Sequence, residues 1–235
     1  METDNERNDP PFRQFFVFRS FVEKNLQREL VNEALKCHAR NSDDGALHQK
    51  VEASFSESNA SEKLNLGISC GGDLSWNLPK AATVARKALG CTRHSTTNKY
   101  LSKICEESTP LTGIALLYGQ NASMPAHYDS PTQPGQREEW LVMITLGLTV
   151  EFRCNTETLM LKSGDVIVMD SMAVLHGVVR IEPGSNACEQ LGLPVQSRLG
   201  ILFWHGREQA CATGSPGRAN VEGIDSLFFE VDQND

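Results

Sequence analysis

From residue 111 onward the chain breaks into short apolar runs separated by turn-forming residues, and few folds accommodate that pattern. The runs fall near 112–118, 125–129, 140–147, 149–154, 158–161, 165–169, 174–181 and 198–205. Turn signals lie between them at Gly119-Gln120-Asn121, Pro131 to Gly135, Lys162-Ser163-Gly164 and Pro183-Gly184-Ser185. Strands this short and numerous predict two packed antiparallel sheets, a double-stranded β-helix or jelly roll.

Upstream the periodicity is different. Phe16, Phe18, Phe21, Val22, Leu26, Leu30, Val31, Ala34 and Leu35 give a mostly helical spacing from Phe15 to about Ala39. A second helix is expected over Ala81–Leu89, ended by Gly90. The expected class is α+β, mainly β: a jelly-roll core with N-terminal helices packed on it. One structural domain is expected, divided into a disordered tail (1–14), an N-terminal helical and lid region (15–110) with a flexible loop at 41–61, a core (111–206) and a C-terminal tail (207–235).

Within the core, His127-Tyr128-Asp129 is followed 49 residues later by His176, and then by Arg198. Residues two apart on a strand point the same way, so His127 and Asp129 can grip one ion. His176 follows a Gly164-Asp165 turn, the apolar strand Val166 to Met169 and a short connection. Two imidazoles and one carboxylate can occupy one face of an octahedral Fe(II) and leave three positions open. Arg198, opening the strand-like Arg198 to Trp204, can take the distant carboxylate of a keto-acid cosubstrate as a forked ion pair. The layout is that of an Fe(II) oxygenase using 2-oxoglutarate and dioxygen. The bland alternatives are a core histidine bonded to backbone at His176 and a surface charge at Arg198.

Composition narrows the class. Apolar residues make up 40% and charged ones 22%, as in ordinary globular proteins. No apolar run approaches the length of a membrane span, and the acidic start Met1 to Glu6 is neither a secretory signal nor a transit peptide. Seven cysteines without CxxC spacing suggest reduced thiols in a cytoplasmic or nuclear protein. A net charge of −8 argues against nonspecific coating of nucleic acid. A local basic stretch exists nonetheless, with Lys80, Arg86, Lys87, Arg93, Lys99 and Lys103 and no acidic residue between them. It reads either as phosphate contacts at the mouth of a site or as a solvated helix face.

Taken together, Tyr118 nine residues before His127, the strand Leu141 to Gly147 ending in Leu-Gly, and the stretch Leu161 to Val178 resemble the AlkB family of Fe(II)/2-oxoglutarate dioxygenases. The resemblance runs from about Leu111 to Trp204, with a weaker match at Leu74-Ser75-Trp76-Asn77 in what would be a nucleotide-recognition lid. It implies that His127, Asp129 and His176 hold iron, and that Arg198, assisted by the Tyr118 hydroxyl, holds 2-oxoglutarate. It further implies oxidative N-demethylation of methylated RNA or DNA with release of succinate, CO2 and formaldehyde. Two departures stand out. Trp204 occupies the position six residues after Arg198 where the family commonly has a second arginine, and Leu116 stands where many members carry a polar cosubstrate contact.

Substrate contacts are expected from Trp76, Tyr128 and Trp204, because base-modifying enzymes stack a splayed nucleotide on aromatic groups. Trp76 reads equally as core, and Tyr128 points away from the metal if its two neighbours point towards it. Three rivals remain: a protein-modifying dioxygenase, a non-catalytic jelly-roll binding module, and a zinc hydrolase, for which Arg198 has no use. Oligomeric state is not legible.

Overall fold

Two antiparallel sheets face one another in the computed structural model of the chain, which describes residues 15–41, 63–65, 78–93, 112–120, 122–130, 139–184, 187–194 and 196–205. The elements are β1 (Phe15–Phe18), α1 (Lys24–Asn41), β2 (Lys63–Asn65), α2 (Pro79–Arg93), β3 (Thr112–Gly119), β4 (Met124–His127), β5 (Trp140–Gly147), β6 (Val150–Cys154), β7 (Glu157–Leu161), β8 (Val166–Asp170), β9 (His176–Ile181), α3 (Ala187–Leu191) and β10 (Ser197–His205). The major sheet has the order β1-β8-β5-β10-β3-β2 and the minor sheet β4-β9-β6-β7. This is the mainly-β jelly roll with helices packed on it that the strand pattern predicts.

The burial patterns show why the strand sequences differ. Every residue of β5 and β8 is buried. α2 packs against β5, β8 and β10, so these strands are covered on both faces and read as continuous apolar runs. In β6, by contrast, Val150, Phe152 and Cys154 are buried while Glu151 and Arg153 are not, the alternation of a half-solvated strand. α1 turns Gln27, Leu30, Val31 and Ala34 inward at helical spacing and packs on α2. Its Glu33 carboxylate accepts from the backbone N–H groups of Lys80 and Ala81, both at 3.0 Å, capping α2 from a neighbouring helix.

Two expectations need correction. Residues 15–18 form an edge strand paired with β8 rather than the start of a helix. Phe15-Phe16-Val17-Phe18 is a consecutive β-forming run, and the helical period starts only after the turn at Ser20 (φ 49°). Gly90 does not end α2, which runs on to Arg93, because a glycine inside a packed helix costs only about 1 kcal/mol. Between β9 and β10 the chain carries α3, which packs on α1, and Arg28 Nε donates to the carbonyl of Gln190 at 3.0 Å. The expected tails, Trp76 and all but Asn41 of the 41–61 loop lie outside the described residues. No helix among the described residues is long and apolar enough to cross a membrane.

Candidate metal and cosubstrate centre

β4 and β9 carry the two histidines side by side, with His127 opposite His176 in the register. Pro125 and Ala126 together oppose Gly177, so β4 bulges at this point. A Cβ on Gly177 would lie 2.8–2.9 Å from Met124 O, Pro125 O and Ala126 Cα, so only glycine lets the bulged strand come this close. A proline is tolerated because β4 is an edge strand and needs no N–H there. The two imidazole rings consequently sit with centroids 4.5 Å apart.

Each ring is oriented by a backbone carbonyl two residues upstream. His127 Nδ1 is 2.9 Å from Pro125 O, and His176 Nδ1 is 2.8 Å from Val174 O. A carbonyl only accepts, so Nδ1 carries the hydrogen in both rings and each Nε2 lone pair is turned inward. Asp129 completes the group, its Oδ1 3.6 Å from His127 Nε2 and 3.9 Å from His176 Nε2. The three ligand atoms lie within 4.8 Å of one another, and all three side chains are buried. Two neutral imidazoles and a carboxylate of this geometry can hold one divalent ion such as Fe(II).

Two surrounding segments hold the ligands in place. The backbone N–H of Asp129 donates to Ser171 O at 2.9 Å, and Ser171 is itself bonded to the Glu139 carbonyl through both its N–H and its hydroxyl. Asn155, at the β6–β7 turn with φ 54°, clamps Leu175: its N–H donates to Leu175 O and its Oδ1 accepts from Leu175 N. Asparagine tolerates the left-handed conformation that this turn needs, and the clamp fixes the residue before His176.

Across the sandwich, β10 presents Arg198, Gly200, Leu202 and Trp204 on one face, between β3 and β5. Arg198 is fully buried. Among the described residues its Nη2 donates to Met143 Sδ and Thr145 Oγ1, each at 3.4 Å. Its Nε and Nη1 have no hydrogen-bond partner among the described residues. Tyr118 lies directly opposite in the register, with its ring 5.4 Å from the guanidinium carbon and its hydroxyl 3.9 Å from Met124 Sδ. Burial lowers the Arg198 pKa to about 10, partly countered by Tyr118, and raises that of the Tyr118 phenol to about 12, partly countered by Arg198. Both groups therefore keep their protons at neutral pH. A Cβ on Gly200 would stand 3.2 Å from Arg198 Nη1, so this glycine keeps the space beside the guanidinium open. A buried cation with two unmet donors and an open flank fits the far carboxylate of a dicarboxylic keto acid.

Of the residues singled out from sequence, His127, Asp129 and His176 come together, as do Tyr118 and Arg198. Trp204 joins the first group: its indole Nε1–H donates to Asp129 Oδ2 at 2.6 Å. The Trp204 side chain is only 4% exposed. Tyr128 is 45% exposed and points away from its two ligand neighbours, as strand alternation requires. Leu116 is buried opposite Gly200. The described part of the basic stretch does not line the centre. Lys80 pairs with Glu29 at 2.6 Å, Lys87 lies 5.4 Å above the Phe21 ring, and α2 covers the outer face of the major sheet. Thr145 and Asn155 were missed. A lone hydroxyl residue in the apolar strand Trp140–Gly147 could have flagged Thr145.

No protein-family model and no curated protein matches the sequence. Solved structures do match the fold. The structure of OsALKBH1, an AlkB homologue, superposes with a TM-score of 0.54 at 19% identity, over 81% of this chain and 97% of that one. The fold is that of the AlkB-like 2-oxoglutarate oxygenases. A viral collagen prolyl hydroxylase from Paramecium Bursaria Chlorella virus-1, in complex with 2-oxoglutarate, is matched at 14% identity with a TM-score of 0.48, over 82% of this chain and 95% of that one. A Pseudomonas putida prolyl-4-hydroxylase is matched at 14% identity with a TM-score of 0.48, over 83% and 92%. In this AlkB-like fold the ligand cluster sits on the minor sheet, and the buried arginine sits on the major sheet facing it.

Proposed function

We propose that this chain is an Fe(II)- and 2-oxoglutarate-dependent dioxygenase that removes N-methyl groups from nucleobases of RNA or DNA. The observation that carries the chemistry is the pairing of a buried His127–Asp129–His176 cluster with a buried guanidinium whose donors are unmet. His127 Nε2, His176 Nε2 and Asp129 Oδ1 would hold the iron. Arg198 would bind the far carboxylate of 2-oxoglutarate, with the Tyr118 phenol as a neutral donor beside it. When bound, iron supplies dioxygen activation coupled to oxidative decarboxylation of the keto acid, and with it hydroxylation of a nearby C–H bond. The chain's residues orient the keto acid, keep the imidazole tautomers fixed and exclude water with the apolar walls Leu116, Met143 and Leu202. Hydroxylation of an N-methyl group gives a hydroxymethyl product that breaks down to formaldehyde and the free base. The second oxygen atom leaves in succinate.

The nucleobase assignment rests on the AlkB-like fold. A protein substrate is the second reading, favoured by the engagement of Lys80 and Lys87 away from the centre.

The test is turnover by anaerobically Fe(II)-loaded protein supplied with 2-oxoglutarate, oxygen and methylated RNA or DNA oligonucleotides. Formaldehyde and succinate are expected together, both lost in Asp129→Ala. Succinate without formaldehyde on every oligonucleotide would move the substrate to protein. Neither product from the wild type would sink the dioxygenase reading.

A further inference from the structure

Asp129 is held from both sides of the sandwich. Its Oδ1 is the oxygen that approaches the two histidine nitrogens, at 3.6 and 3.9 Å. Its Oδ2 accepts the Trp204 indole N–H at 2.6 Å, a bond reaching from the major sheet to the ligand cluster. We propose that Trp204 is a positioning residue of the metal centre, whose indole N–H confines Asp129 to offering a single oxygen to the ion. The inference rests on the metal reading given above.

Coordination arithmetic gives the restraint a purpose. A carboxylate can bind through one oxygen or through both. Two nitrogens and one oxygen leave three positions of an octahedron, enough for a chelating keto acid and dioxygen. A second carboxylate oxygen would leave two, one too few. Engaging Oδ2 in a charge-assisted hydrogen bond opposes that collapse.

An indole suits the task for three chemical reasons. It is donor-only, so it cannot become a ligand itself. It carries no charge, so it adds no repulsion beside a cation. It is also stiff and built on a rigid element, since Trp204 is paired with Thr112 on β3 and Leu141 on β5 and is only 4% exposed.

Trp204→Phe keeps an aromatic ring and deletes the donor, and Co(II) titration of the keto-acid-free protein reads the result without turnover. The affinity is expected to fall roughly tenfold, the lower end of the range for outer-shell partners of metal ligands. The visible Co(II) absorption should change as the carboxylate swings to two-oxygen binding. A variant with the wild-type spectrum and an affinity within about twofold would overturn the inference and leave Trp204 as packing, whatever its melting temperature. Failure of the wild type to bind Co(II) would instead overturn the metal reading itself. Should Trp204→Phe not fold, indole 15N-labelled wild type serves. The Trp204 N–H resonance, assigned by elimination with Trp76→Phe and Trp140→Phe, should shift on adding Zn(II). A resonance indifferent to Zn(II) would refute the positioning role.

Discussion

Arg198→Met is expected to destroy 2-oxoglutarate binding while making the ligand-free protein more stable. The guanidinium is fully buried, and two of its nitrogens lack hydrogen-bond partners among the described residues. Removing one partner of a buried charge pair costs about 2–5 kcal/mol, so the KM for 2-oxoglutarate should rise at least ~30-fold. Without its ligand the same charge is a liability, and an apolar replacement of similar length typically gains about 1–4 kcal/mol. Its pKa adds a signature. Burial lowers it from 12.5 to about 10, so between those values the unfolded chain binds more protons than the folded one. Stability from this group therefore increases as pH rises through that window, and cosubstrate affinity declines as the folded form loses its charge. Both trends should vanish in Arg198→Met. Thermal melts across pH, with and without 2-oxoglutarate, check all three statements. A variant with unchanged KM would remove Arg198 from the cosubstrate site.

Gly177→Ala is the second change of large effect, and it is expected to separate the site from the fold. The added methyl would stand 2.8–2.9 Å from three backbone atoms of β4, which cannot rotate away as a side chain could. β4 must therefore lift off β9, taking His127 with it and parting the two imidazoles. Because β4 is an edge strand bonded only to β9 in its sheet, the remaining sandwich keeps its pairing. Metal affinity should fall by two orders of magnitude or more, whereas the stability loss should stay near the ~1–3 kcal/mol of ordinary overpacking. Co(II) titration beside a thermal melt tests this. Wild-type affinity in Gly177→Ala would mean that close strand approach does not build the site.

These two residues illustrate what can be read from sequence and what cannot. His127, Asp129, His176 and Arg198 were legible because strand alternation and order along the chain are local properties of the sequence. The strands were legible for the same reason, since β-branched runs bounded by Gly, Pro, Asn and Ser announce themselves. Residues 15–18 misled because their phenylalanines also fit a helical period, and only pairing with β8 decides between the two. Asn155 was invisible because its partner Leu175 is 20 residues away, and nothing local marks a turn residue as a clamp. Trp204 stood out as a departure six residues after Arg198, an even spacing that puts the two on one strand face. That its partner would be Asp129, 75 residues distant, depends on how the sheets stack.

The division of the centre between two sheets has a consequence for cosubstrate choice. The metal ligands belong to one layer and Arg198 to the other, so the thickness of the apolar filling acts as a gauge for the length of keto acid that spans the gap. Enlarging a filling residue such as Val150, a fully buried side chain of the minor sheet, would reset the gauge. The expected result is a shift in preference from the five-carbon to the six-carbon oxo diacid, measured as the ratio of their kcat/KM values. An unchanged ratio would mean that the arginine alone does the measuring.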